Sequence, residues 1–403
     1  MPGSHDAGMS TISRALLSLG SEANTQTQSL NIYNQLRAGA RWFDVRVASV
    51  HQSPSQYRFW ALHVNDETAD VAIGASGESF NEIISEINDF TDEFPGEVII
   101  LQFRYLLGIR TSPGFGPIYW GEDIMEDFLE HAKKINNRCS DLSFDQDKAI
   151  ERYKMGDLMG RNNGKGCVLL FLDDQHLDHK VPPQKQSSAS DGIYPGFALT
   201  WHDAWPNKED TEDVANSAIK AWQVNKGNRF HVGQWLSTPS AATSTFSYSL
   251  QVIAVLAINP ALYWRGVNEI FPDSFPNVLM VDYLGMVVLN EDDWDQLSAE
   301  LYTLAIGLNL YLISENCDIN SMRSPLLPSR SRSNFRPASS QNPLVSSWGG
   351  IIFANGTTID HPPPGLHPGR VAVLKKGTVF GNRTVLTKDM RNPEILNSTI
   401  SLG

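Results

Sequence analysis

Short apolar runs alternate with longer amphipathic stretches along most of this chain, the rhythm of repeated strand–helix units. Arg41–Val47, Arg58–His63, Val98–Phe103, Cys167–Leu172, Phe197–Trp201, Phe230–Leu236 and Val278–Tyr283 read as strands. Glu78–Phe94 places Phe80, Ile83, Ile84, Ile87 and Phe90 on one helical stripe and stops at Phe94-Pro95-Gly96. Gly121–Asn137 predicts a helix with acidic residues in its first turn and Lys133 and Lys134 near its end, which suits the helix dipole. Lys208–Asn225 and Glu291–Leu310 read as further helices. Strands and helices in alternation predict an α/β fold with a parallel sheet, here a β/α barrel that one further strand would close. In such barrels chemistry collects at the C-terminal ends of the strands.

The texture changes near Ser321. Residues 1–320 are expected to form the barrel, residues 321–345 a Ser/Pro/Arg-rich loop or linker, and residues 346–403 a small β-rich extension packed on the barrel. Val371–Leu374 and Gly377–Leu386 are the strand candidates of that extension. A barrel strand is also expected ahead of His5, where only four residues stand. A late chain start, or a C-terminal segment such as Gly350–Phe353 or Val371–Leu374, is the expected explanation.

Composition narrows the function classes. The chain has 403 residues, 41% hydrophobic and 19% charged, and 32 basic against 45 acidic residues give a formal net charge of −13. Such an acidic chain has no long-range attraction for nucleic acid, so no nucleic-acid partner is expected. Cys139, Cys167 and Cys317 are widely spaced and odd in number, which predicts free or buried thiols and no disulfide framework. No apolar run is long enough for a membrane span, and no secretion signal is visible, so a cytoplasmic location is expected. The glycosylation triplets at Asn355, Asn382 and Asn397 carry little weight without such a signal.

The polar residues at the strand ends are the candidate chemistry. His5 and Asp6 sit in a Gly-flanked turn, Pro2-Gly3-Ser4-His5-Asp6-Ala7-Gly8. Asp44 and Arg46 are two apart on one strand and so share a face. His63 ends the run Phe59-Trp60-Ala61-Leu62. Arg104 and Asp282 follow two more strands. Two imidazoles and a guanidinium can take a proton, give one, and steady phosphoryl charge. Asp203 and Trp205, in Trp201-His202-Asp203-Ala204-Trp205, are candidates to bind hydroxyls and stack on a ring. The group Asp173, Asp174, His176, Asp178 and His179 matches no metal-binding spacing and reads as a solvated loop. His131 and His231 read as structural, and Tyr119 and Trp120 as parts of a packed loop.

These motifs in this order resemble the phosphatidylinositol-specific phospholipase C X-box family. The resemblance runs from His5 to Asp282 and is carried by the His5 turn, by Gln35-Leu-Arg-Ala-Gly-Ala-Arg-Trp-Phe-Asp-Val-Arg46, by Leu62-His63, by Glu97-Val-Ile-Ile-Leu-Gln-Phe-Arg104 and by Asn277-Val-Leu-Met-Val-Asp282. It implies a distorted TIM-type barrel and a phosphodiesterase acting on a small-molecule or phospholipid substrate. It further implies His5 as general base, His63 as general acid, Asp282 orienting His5, Asp6 supporting His63, and Asp44 holding a phosphate-binding Arg46. Asp6 and Arg46 stand where calcium-dependent relatives carry metal ligands, so the resemblance is to the metal-independent type, with no cofactor and no metal. Peripheral membrane contact is compatible with it, and no obligate protein partner is implied. Cys167–Leu172 carries Leu and Phe where an inositol-binding arginine is expected, and Trp205 replaces a stacking tyrosine. A second reading therefore keeps the histidine pair but makes the chain a lyase, dehydratase or cyclase of small-molecule biosynthesis.

Overall fold

The computed structural model describes residues 1–16, 21–53, 56–64, 74–109, 118–144, 150, 153–173, 177, 180–196, 201–225, 229–239, 249–285 and 300–316, with four two-residue strands beyond residue 350. One sheet holds β1 (Pro2–Ser4), β2 (Arg14–Leu16), β3 (Trp42–Ser53), β4 (Gln56–Val64), β5 (Gly74–Ser79), β6 (Glu97–Ile109), β7 (Ile118–Tyr119), β8 (Gly166–Leu172), β9 (Ile193–Pro195), β10 (Trp201–Asp203), β11 (Phe230–Gln234) and β12 (Val278–Val281). Its backbone is a parallel path in the order β9-β8-β6-β3-β1-β12-β11-β10. The fold is α/β, with this sheet curled as a half-barrel; among the described residues no ladder joins β9 to β10.

Strand alternation divides the side chains into two sets. Phe43 and Val45 of β3, Ile99, Leu101 and Phe103 of β6, and Val168 and Leu170 of β8 join one buried cluster with the helices Phe80–Glu93 and Glu122–Ala132. Their neighbours Trp42, Ile100, Leu169, Phe171, Val232, Val278 and Met280 form a second cluster inside the curl. On four of the strands the inward position beyond this apolar floor is polar. Asp44 and Arg46 follow Trp42, Gln102 and Arg104 follow Ile100, Gln234 follows Val232, and Asp282 follows Met280. Register holds these rungs level, with Asp44 opposite Gln102 and Arg46 opposite Arg104. An apolar plug thus carries a charged mouth.

The helix Phe80–Glu93 begins with a capping box, Ser79 accepting from the Glu82 N–H while Glu82 accepts from the Ser79 N–H. Its buried residues are Phe80, Ile83, Ile84, Ile87, Phe90 and Thr91, the expected stripe with one threonine added.

Several expectations need correction. The strand ahead of His5 is not missing: β1 is three residues long and bridges β12 and β3. Gly3 fits there because a Cβ would lie 2.4 Å from Val278 Cγ1. The strand carrying His63 is not a barrel strand. It pairs antiparallel with β3, taking the edge of β3 that β1 leaves after Phe43. The barrel place counted for it belongs to β9. Of Phe197–Trp201 the described part is Trp201, in a strand Trp201–Asp203, and of Glu291–Leu310 the described part, from Glu300 on, lies in a helix Glu300–Asn316; 197–200 and 291–299 lie outside the described residues.

The free-thiol expectation fails for two cysteines: Cys139 and Cys167 form a disulfide in the second buried cluster. Their Cα atoms stand 5.1 Å apart because Arg138 and Val168 bridge the two segments side by side. In the C-terminal part, Ile351–Ile352 pairs with Thr358–Ile359 and Val373–Leu374 with Met390–Arg391, each antiparallel. Among the described residues no ladder joins either pair to the twelve-stranded sheet. The expected linker 321–345 and Gly377–Leu386 lie outside the described residues. Among the described residues no helix is long and apolar enough to cross a membrane.

Candidate active site

His5 leaves β1 between two parallel neighbours, its backbone N–H donating to Val281 O. Asp6 then turns with φ +41°, a left-handed conformation, so the chain doubles back and the Ala7 N–H reaches Asp44 O. The turn brings the termini of β12, β1 and β3 together. A loop at 25–28 fastens it. Gln28 donates from Nε2 to His5 O at 2.8 Å and Val281 O at 3.3 Å, and accepts from the Leu284 N–H. Thr27 donates its hydroxyl to Asp6 O.

The two imidazoles face one another across this mouth, ring centroids 6.5 Å apart and planes 77° apart. Each has an acceptor at its back. His5 Nδ1 lies 2.8 Å from Asp282 Oδ1, and His63 Nδ1 lies 2.9 Å from Thr25 O. Those acceptors place a proton on each Nδ1 and turn each Nε2 toward the pocket. Arg46 Nη2 is 3.2 Å from His5 Nε2 and Arg46 Nε is 2.5 Å from Asp6 Oδ1. Asp6 Oδ2 lies 3.6 Å from His5 Nε2 and 3.7 Å from His63 Nε2, so this buried carboxylate faces both rings. Asp44, fully buried, is 3.9 Å from His5 Nε2 and 3.8 Å from Arg104 Nη1.

Position fixes the charges. Burial pulls His5 down, but the carboxylates of Asp6 and Asp282 overcome it, and repulsion from Arg46 as well, and lift its pKa to about 9. Burial lowers His63, and attraction to Asp6 does not make up the loss. Burial raises Asp6, yet Arg46, His5, His63 and Arg104 together hold it below the usual carboxylate range. At neutral pH the resting pocket has a charged His5 beside a neutral His63.

On the other side of the mouth Arg104 Nη1 lies 3.5 Å from Asp203 Oδ2, and Gln234 donates to Asp203 Oδ1. Burial raises the Asp203 pKa. Trp205 stands further out, 57% exposed. All nine expected site residues are in the described part, and His5, Asp6, Asp44, Arg46, His63, Arg104, Asp203 and Asp282 are linked through contacts of 3.9 Å or less. Arg46 Nε pairs with Asp6, and Asp44 lies against His5 and Arg104. Of the solvated-loop group only Asp173 is described; Asp174, His176, Asp178 and His179 lie outside the described residues.

His5, Asp6 and Asp44 also offer ligand atoms within 4.8 Å of one another, a grouping able to hold a cation. Guanidinium nitrogens already sit against both carboxylates, so an ion there would meet two fixed positive charges.

Tyr105, absent from the sequence reading, lies under both arginines. The Arg46 guanidinium is 4.8 Å and that of Arg104 5.2 Å from its ring centroid. Its φ is +54°, rare for an aromatic residue. The loop at 25–28 was missed as well, because it contributes backbone carbonyls and an amide with no motif of their own.

No family model matches the chain. A stretch of 84 residues is 30% identical to the human PI-PLC X domain-containing protein 3, covering 21% of this chain and 23% of that protein. The chain thus matches under a quarter of that relative's length. Among solved structures, a mutant phosphatidylinositol-specific phospholipase C from Staphylococcus aureus is similar at 16% identity, covering 71% of this chain and 87% of that one, with a TM-score of 0.45. The phosphatidylinositol-specific phospholipase C of Listeria monocytogenes gives 14% identity, coverage of 70% and 87%, and a TM-score of 0.43.

Proposed function

We propose that this X-domain-like chain is a phosphodiesterase of the phospholipase C type, working by internal hydroxyl attack with no metal. The observation that carries the reading is the pair of imidazoles 6.5 Å apart, each backed by its own acceptor, with the Arg46 guanidinium against His5. His5 Nε2 accepts the proton of a substrate hydroxyl, whose oxygen attacks phosphorus in line. His63 Nε2 delivers a proton to the departing alcohol oxygen. A cyclic phosphodiester and a free alcohol result, and Arg46 carries the charge that builds on the phosphoryl oxygens. Asp282 orients His5 and stabilises its imidazolium; Asp6 holds Arg46 and faces both rings. Arg104 and Asp203 take up head-group hydroxyls beside the phosphate, and Trp205 offers an exposed ring face.

The resting charges are the reverse of those needed at the start of this sequence. The working state, with His5 neutral and His63 charged, has the same total charge. One proton has moved across the pocket; a phosphodiester anion seated on Arg46 quenches a cation that repels both imidazoles, which lifts His63 toward its charged form without by itself choosing between the two rings.

The decisive experiment offers a fluorogenic inositol phosphodiester and a glycerol phosphodiester to the purified protein with and without chelator. The expected result is turnover that chelator leaves intact and that His5→Ala and His63→Ala each abolish. Turnover that needs added divalent ion, or that survives both substitutions, overturns it.

One observation favours the second reading, a lyase, dehydratase or cyclase. All seven residues of β8 are buried and its side chains are apolar or Cys, so that wall offers no charged group to a head group. Absence of turnover on every phosphodiester class would select it. The buried disulfide removes the basis for expecting a reducing compartment, and we infer that the protein works in an oxidising one.

A further inference from the structure

We propose that Tyr105 is a positioning residue, an aromatic platform that holds the Arg46 and Arg104 guanidinium groups side by side at the phosphate position. The inference rests on the phosphodiesterase reading of the same site. It starts from the ladder between β3 and β6. Arg46 is opposite Arg104, but Ala48 is opposite Leu107. Two steps on β3 match three on β6, so β6 carries one extra residue at this point, a bulge. In a regular strand Tyr105 would point away from Arg104, toward the outer cluster that holds Phe103. The bulge, with Tyr105 at φ +54°, instead brings its ring to 4.8 Å from one guanidinium and 5.2 Å from the other.

Two like charges need a reason to stay close. Arg46 and Arg104 repel each other, and that repulsion works to lower the Arg104 pKa. Carboxylates offset it on one side: Asp6 for Arg46, Asp44 and Asp203 for Arg104. The shared ring acts from another side, its electron-rich face attracting both cations at once. For Arg104 the ring also limits the tilt of the guanidinium, which carboxylates 3.5 and 3.8 Å away do not. A residue kept in a costly backbone conformation beside reacting groups is the expected signature of such a role.

The test uses three variants. Tyr105→Phe keeps the ring, Tyr105→Leu removes it, and Tyr105→Gly removes it while relieving the left-handed backbone. Two readouts are taken, steady-state kinetics on the phosphodiester and the NMR signals of the arginine Nε–H groups, assigned through Arg46→Lys and Arg104→Lys. Over a ring face those protons are shifted upfield. Tyr105→Phe is expected to keep the shift and stay within about twofold of wild type in kcat/KM. Tyr105→Leu and Tyr105→Gly should lose the shift and about tenfold or more in kcat/KM, mostly in kcat, because a misaligned guanidinium fails the transition state first. Tyr105→Gly should do so with Tm unchanged or raised. An unshifted wild-type signal, or a Tyr105→Leu enzyme with wild-type kcat, overturns the proposal. So does a Tyr105→Gly variant that recovers activity. Should no phosphodiester be turned over even by the wild type, the function fails while the NMR shift still decides whether the platform exists.

Discussion

Asp282→Asn isolates the charge that tunes His5. The side chain is nearly isosteric, so an acceptor still faces His5 Nδ1 while the negative charge is lost. In the intact site His5 holds its proton to about 9 against an ordinary value of 6.5. That difference corresponds to roughly 3 kcal/mol of preference for the charged ring. Because the folded pKa is the raised one, the stabilisation is complete below pH 6.5 and disappears as pH rises through about 9. Over that window stability should fall by up to about 1.4 kcal/mol per pH unit from this group. Asp6 supplies the larger attraction and Asp282 the next, together with its hydrogen bond. Removing Asp282 should therefore cancel roughly 1–2 kcal/mol of the total.

The assay is urea denaturation of wild type and Asp282→Asn at closely spaced pH values between 6 and 9.5. Buried Glu78 also titrates with a pKa raised to about 9 by desolvation, so the wild-type slope alone is ambiguous. The difference between the two proteins removes that contribution. We expect the gap to be widest below pH 6.5 and to close toward pH 9. The alkaline limb of kcat/KM should move to lower pH in the variant, and kcat should drop on the order of 100-fold or more, as for other general bases deprived of their orienting carboxylate. A gap that is constant with pH would refute the electrostatic account of His5. An unmoved alkaline limb would refute its assignment as the base.

Two further predictions concern the frame. Gly3→Ala drives a Cβ to 2.4 Å from Val278 Cγ1, so it should cost about 1–3 kcal/mol by overpacking and displace His5 two residues on, lowering both the denaturation midpoint and kcat. Thiol titration of the unfolded, unreduced chain should find one reactive cysteine of three, and reducing the Cys139–Cys167 bond should cost about 3–4 kcal/mol, the loop-closure value for 28 residues of separation, seen as a lower midpoint in dithiothreitol.

What was legible in the chain were features written in local period and spacing. Asp44 and Arg46 share a face because strands alternate, and both do point inward. The stripe from Phe80 to Phe90 is local too, and the helix forms around it, while the capping box Ser79–Glu82 that starts it went unread. Features set by partners far along the chain were not legible. Three residues suffice for β1 only because β12 and β3 flank it, some 280 and 40 positions away. The run ending in His63 reads the same whether it lies parallel or antiparallel, since periodicity has no direction. The cysteines at 139 and 167 gave no sign of pairing because their meeting depends on β8 lying beside the 138–139 segment.

The same distinction explains why the chemistry was read before its support. A base, an acid and a phosphate-binding cation require particular side chains, so His5, His63 and Arg46 announce themselves by type. Holding them requires only hydrogen-bond acceptors, shape and a flat surface, which many residues supply. Thr25 serves His63 through its backbone carbonyl, which any residue would offer. Gln28 serves His5 by reaching two carbonyls from different strands, a geometry with no sequence pattern. Tyr105 enters the pocket because one extra residue in β6 turns the strand over, against the alternation that would have sent it outward. Support of this kind is specified by the fold. Substitutions there should change rates and pH limbs while every residue recognisable as catalytic remains in place.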